Sequence, residues 1–87
     1  MTPSQIIQDK LKKILVERFA IDPAKIQLNT DLQKELNLDS MDAIDLLLAV
    51  NETFGIQLPE QSLEKIHTVG DLVEHIEKFT PFEKGGR

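Results

Sequence analysis

The sequence predicts a small all-α four-helix bundle, with three main helices, a short helix before the last and a long first loop. Three observations carry this. Apolar residues recur at three- and four-residue spacing in three separate stretches. The one alternating stretch, Ile56-Gln57-Leu58, is too short to build a sheet. A chain of 87 residues has length for one small domain and little more, and residues 1–79 are taken as that domain.

Ile7, Leu11, Ile14, Leu15 and Phe19 fall on one side of a first helix running from about Pro3 to Phe19, with Lys10, Lys12, Lys13 and Glu17 elsewhere. Asp22 followed by Pro23 has the form of an N-cap and first helical residue. Asn29, Thr30 and Asp31 soon interrupt, so only a turn of helix is expected there. Leu28, Leu32, Leu36 and Leu38 are expected to pin this long loop to the core. Asp39 and Ser40 open the second helix, which ends at Phe54 because Gly55 suits the left-handed position beyond a helix end. Residues 56–58, before Pro59, are expected to be extended, and Glu60 to Lys65 form at most a short helix. Thr68 and Asp71 match a capping box for the last helix, whose apolar stripe is Val69, Leu72, Val73 and Ile76. Residues 80–87, with Pro81, Gly85 and Gly86 and no periodicity, read as a flexible tail or a non-native remnant.

Composition removes several classes of function. With no cysteine there is no disulfide framework, thiolate metal site or protein-borne thiol nucleophile, so any thiol chemistry has to be imported. A core this small leaves little space for a deep substrate cavity, which argues against an enzyme. His67 and His75 have no Ser/Asp arrangement around them and read as ordinary surface or boundary histidines. The acids do not match a calcium-binding loop, and no glycine-rich phosphate loop is present. No apolar run is long enough to span a bilayer, and the N-terminus lacks signal- and transit-peptide character. A cytoplasmic monomer without membrane contact is therefore expected.

The net charge of -5 is unevenly spread. Met1 to Ile21 carries Lys10, Lys12, Lys13 and Arg18 against Asp9 and Glu17, whereas Glu35 through Glu64 holds seven acids and no Lys or Arg. Such a field repels nucleic acid and steers basic protein surfaces toward the chain, although it could equally serve solubility alone. At about 100° per residue, Ala43, Leu46, Leu47, Val50 and Phe54 form a core-facing stripe on the second helix. Met41, Ile44 and Leu48 form a second stripe bordered by Asp45 and Glu52. That ridge reads either as a docking surface with an acidic rim or as the far side of a fully packed central helix.

Of the three serines, Ser4, Ser40 and Ser62, Ser40 stands at the start of a strongly predicted helix after a long loop. The first turn of a helix favours a phosphate, so a phosphate ester on the Ser40 hydroxyl is well placed there. The plainer reading is that Ser40 or Asp39 merely caps the helix.

Asp39-Ser40-Met41-Asp42, with the following Ala43 to Phe54, resembles the phosphopantetheine-attachment segment of acyl carrier proteins. The first helix, the loop with Leu32 and Leu36, the Ile56–Pro59 segment and the Ile66–Leu72 stretch resemble that family in order and spacing, over about residues 3–79. The tetrapeptide is a weak signal by itself; the whole constellation is a specific one.

The resemblance implies a non-enzymatic carrier. A phosphopantetheinyl transferase would move 4′-phosphopantetheine from coenzyme A to Ser40, and acyl groups would ride on its thiol as thioesters, which answers the missing cysteine. Asp39 matches the acid that helps the transferase hold metal and substrate. Met41, Asp42, Ile44, Asp45, Leu48 and Glu52 match the helix read by basic docking patches of acyl-transferring and acyl-modifying enzymes in fatty-acid, polyketide or related lipid biosynthesis. Asn37 stands where the family often has glycine, a substitution that left-handed backbone tolerates. Asn51 and Thr53 replace two common acids, which thins the anionic rim. An aminoacyl or peptidyl carrier of the same fold, or an unmodified acidic interaction module, would share much of this pattern.

Overall fold

The computed structural model describes residues 3–79 and is all-helical there: α1 (Pro3–Phe19), α2 (Ser40–Phe54) and α3 (Val69–Phe79), with short 3-10 turns at Pro23–Lys25 and Glu60–Glu64. The expected tail at 80–87 lies outside the described residues.

In α1, Ile7, Leu11, Ile14 and Leu15 are buried, as their spacing demands, and the helix packs against both α2 and α3. Its end is made by Ala20, whose φ of 54° is left-handed, while the Ile21 N–H donates to the Leu15 carbonyl at 3.2 Å. This is a Schellman-type ending built on a residue that pays about 1 kcal/mol for the conformation.

The first loop is held by three of the four leucines expected to hold it and by its backbone. Leu32, Leu36 and Leu38 are buried, but Leu28 is 48% exposed, and Ile26 provides the upstream apolar anchor instead. What ties Leu28 down is its carbonyl, which accepts the Gly70 N–H at 2.7 Å. A Cβ at Gly70 would lie 2.9 Å from that oxygen, so a glycine is required for the approach. The Leu32 N–H donates to His67 and the Val69 N–H to Thr30, stitching the loop to the chain entering α3 around one antiparallel bridge, Asp31 to Thr68. Buried Thr30 organises the loop from within, its hydroxyl donating to the Lys25 carbonyl and accepting the Gln27 N–H.

Local caps set the helix boundaries as expected. Asp39 Oδ1 accepts the Asp42 N–H at 2.9 Å, and Asp42 reaches back to the Asp39 N–H; Gly55, with φ 65°, ends α2. Thr68 and Asp71 form the corresponding box on α3. Asp71 also accepts the His67 N–H, and this bond is the main cause holding its carboxyl below the ordinary 3.8.

The core stripe of α2 holds at Leu46, Leu47 and Val50, which are buried, and at Phe54, which is half-buried and packs against the core; it is corrected at Ala43, which is half-buried, and Ala49 joins the core at 4% exposure. Ala43 lies in the first turn of the helix, where its neighbours leave a cavity beside it.

Asn51, expected to be a surface position that had lost an acid, is a structural clip. Its Oδ1 accepts the Leu58 N–H at 2.9 Å and its Nδ2 donates to the Leu58 carbonyl at 3.3 Å. The pair holds buried Ile56 and Leu58 along α2. Asn51→Ala is expected to lower stability by about 1–3 kcal/mol, because it strands both polar groups of a buried residue. Urea unfolding measures this, and an unchanged midpoint would mean that solvent replaces the clip.

Candidate functional site

The chain approaches Ser40 through a tight reversal. Asn37 is left-handed at φ 57°, in keeping with the tolerance expected of asparagine there, and the N–H of buried Leu38 donates back to the Leu32 carbonyl at 3.1 Å. Asp39 is extended and caps α2, so Ser40 becomes its first residue, with an exposed side chain. The cap is supplied by the two neighbouring aspartates, and the Ser40 hydroxyl is not needed for it. An anionic ester on that hydroxyl would meet the positive end of the α2 dipole.

Ser40 also borders a cavity of about 310 Å³. Its apolar lining comes from Leu32 and Leu38 of the loop, Ala43, Ile44, Leu46 and Leu47 of α2, Leu63 and Ile66 beyond it, and Leu72 of α3. Asp31, Gln33, Glu60, Glu64 and His67 supply its polar lining. Asp31 is drawn below the ordinary 3.8, first by the Lys34 backbone N–H and then also by that of Gln33. A serine hydroxyl beside an apolar cavity can carry a phosphate-linked arm and give shelter to an apolar chain attached to it. The residues present therefore fit a phosphopantetheine group. Ser4 and Ser62 lack this combination: the Ser4 hydroxyl accepts from Gln8 in a helix with no acid in its first turn, and Ser62 is half-buried in a 3-10 turn.

The expected docking residues separate into distinct roles. Met41 and Leu48 are strongly exposed, at 78% and 59%, and form an apolar surface that the core does not use. Ile44, at 37%, lines the cavity as well, so the expected three-residue ridge is shared between surface and pocket. Asp42 is engaged in the helix cap. Asp45 pairs with Arg18 of α1 at 3.0 Å, a contact that sequence spacing does not reveal. Glu52 is exposed and borders a groove between α1 and α2 together with Lys10, Lys13 and Arg18. His67 lines the cavity, while His75 Nδ1 lies 2.9 Å from the Asp71 carbonyl within α3. Among the described residues no cluster of His, Asp or Glu is arranged to hold a metal, and no helix is long and apolar enough to cross a membrane.

Residues 9–76 match the family model described as the phosphopantetheine attachment site. An acyl carrier protein from Zymomonas mobilis is 40% identical over 70 residues, covering 80% of this chain and 90% of that protein. One from Thermosynechococcus vestitus is 34% identical over 76 residues, covering 87% and 93%. The crystal structure of an acyl carrier protein from Thermotoga maritima matches with a TM-score of 0.80 at 25% identity, over 91% of this chain and 92% of that one.

Proposed function

The chain belongs to the acyl carrier protein family, and from that premise we propose that Ser40 bears the 4′-phosphopantetheine arm and that the adjoining cavity shelters its acyl cargo. The protein is a carrier and not a catalyst. When bound, the arm supplies the thiol that holds acyl groups as thioesters. The chain's own residues do the rest. Ser40 offers an exposed hydroxyl, and the α2 N-terminus favours the phosphate. Asp39 caps the helix and stands beside Ser40, where it supports modification by the transferase. The single observation that carries this reading is a serine that is at once exposed, first in a capped helix and on the edge of an apolar cavity.

The cargo is proposed to pass between enzymes of fatty-acid, polyketide or related lipid biosynthesis. Intact mass after incubation with coenzyme A, magnesium and a broad-specificity phosphopantetheinyl transferase tests the assignment. A gain of one phosphopantetheine is expected, and an unchanged mass would reduce the chain to an unmodified interaction module.

The docking face is proposed to comprise Met41, Leu48 and the exposed side of Ile44, with Asp42, Asp45 and Glu52 around it. Charge and apolar contact should act on different rates. Glu52→Lys is expected to slow association with the transferase severalfold and flatten its salt dependence. Leu48→Ala, which removes an exposed side chain, should speed dissociation while the protein stays folded. Binding kinetics across a salt series, with circular dichroism of each variant, distinguish these. Unchanged kinetics in Glu52→Lys would leave the acidic rim as solubilising surface.

A further inference from the structure

Asp45 and Glu52 are seven residues apart on α2 and therefore share one face of the helix. Their surroundings differ. Arg18 Nη2 lies 3.0 Å from Asp45 Oδ1, with the two side chains 50% and 48% exposed, so the pair is open to solvent and to competition. Arg18 is in the last turn of α1, where the helix dipole favours a cation independently of Asp45. It is also a planar, permanently charged group suited to a carboxylate. A partner ammonium or guanidinium approaching Asp45 thus meets a cation already seated there, whereas exposed Glu52 borders a groove with Lys10, Lys13 and Arg18 but, among the described residues, is ion-paired with none of them.

Resting on the carrier reading above, we propose that Arg18 sets partner selectivity at the docking face. It competes with a partner's Lys or Arg for Asp45, and so favours basic protein surfaces that engage Glu52 and Leu48 over those that rely on Asp45. An exposed pair of this kind shifts a binding equilibrium by up to about fivefold. That is enough to rank transient partners without blocking any.

The test is a double-mutant cycle on binding to a broad-specificity phosphopantetheinyl transferase at low ionic strength, with wild type, Arg18→Gln, Asp45→Asn and the double variant. Lys13→Gln controls for charge, since it makes the same change in net charge beside the same groove. Arg18→Gln should tighten binding more than Lys13→Gln does. Asp45→Asn should weaken binding about two- to fivefold more in the Arg18→Gln background than in wild type. Arg18→Lys, which keeps the cation, should restore the wild-type response. An equal cost of Asp45→Asn in both backgrounds, including no cost in either, overturns the inference, as does weaker binding of Arg18→Gln. Circular dichroism verifies that each variant is folded. Failure of the carrier reading would show separately, as no mass gain in the wild-type chain.

Discussion

Ser40→Ala is expected to fold as the wild type does and to gain no phosphopantetheine at all. The two halves of this result have separate physical causes. Folding survives because α2 is capped by the reciprocal bonds of Asp39 and Asp42, and the Ser40 side chain is exposed. Alanine is also the best helix former, so the first turn loses nothing from the exchange. Loading is abolished because the hydroxyl oxygen is the atom that would form the new phosphoester bond. Intact mass and far-ultraviolet circular dichroism on the same sample decide the matter. An adduct that survives in Ser40→Ala, or one mapped to Ser4 or Ser62, would move the attachment site elsewhere. Asp39→Ala gives a graded contrast, with a loss of about 1 kcal/mol as the cap is removed.

Thermal unfolding should rise with the length of the acyl chain carried. The cavity beside Ser40 is lined largely by Leu and Ile side chains, so each methylene that enters it leaves water and gains about 0.8 kcal/mol. Between butyryl and octanoyl forms the four added methylenes amount to about 3 kcal/mol if all are buried. In a domain of this size that corresponds to a melting-temperature difference of roughly 12–25 °C. Butyryl, hexanoyl and octanoyl forms should therefore separate in order. Ala43→Leu, at a half-buried position lining the cavity, should flatten the series by occupying part of the same space. Coincident melts of all acyl forms with the unacylated holo protein would mean that the chain stays in solvent.

Both expectations rest on features that were legible in the sequence to different degrees. Ser40 was legible because its distinguishing marks are local: an acid on each side within two residues, a helix beginning at it and a glycine ending that helix. The cavity was not legible, because its walls come from residues spread between Asp31 and Leu72. Ile44 was assigned to the docking ridge from its angular position, yet the cavity reaches it too. Angular position tells which way a side chain leaves its helix, and says nothing of how far the neighbouring elements stand from it.

What the sequence by itself determined is everything whose physics closes within about one helical turn. The three helices, the opening of α2 at Asp39 and Ser40, the Thr68–Asp71 box before α3 and the Gly55 ending follow from apolar spacing and from polar atoms three or four residues from their partners. Tertiary structure alone decided which contacts join distant segments. The Arg18–Asp45 pair spans 27 residues, and Gly70 is needed because the Leu28 carbonyl comes to lie above it. Asn51 serves as a clip because the extended segment after α2 folds back along the helix. Leu28 is held by its backbone, whose carbonyl has a partner in Gly70, while its side chain stays 48% exposed. Helix packing sets these distances, and a side chain's intrinsic preference carries no information about the element that will come to rest against it.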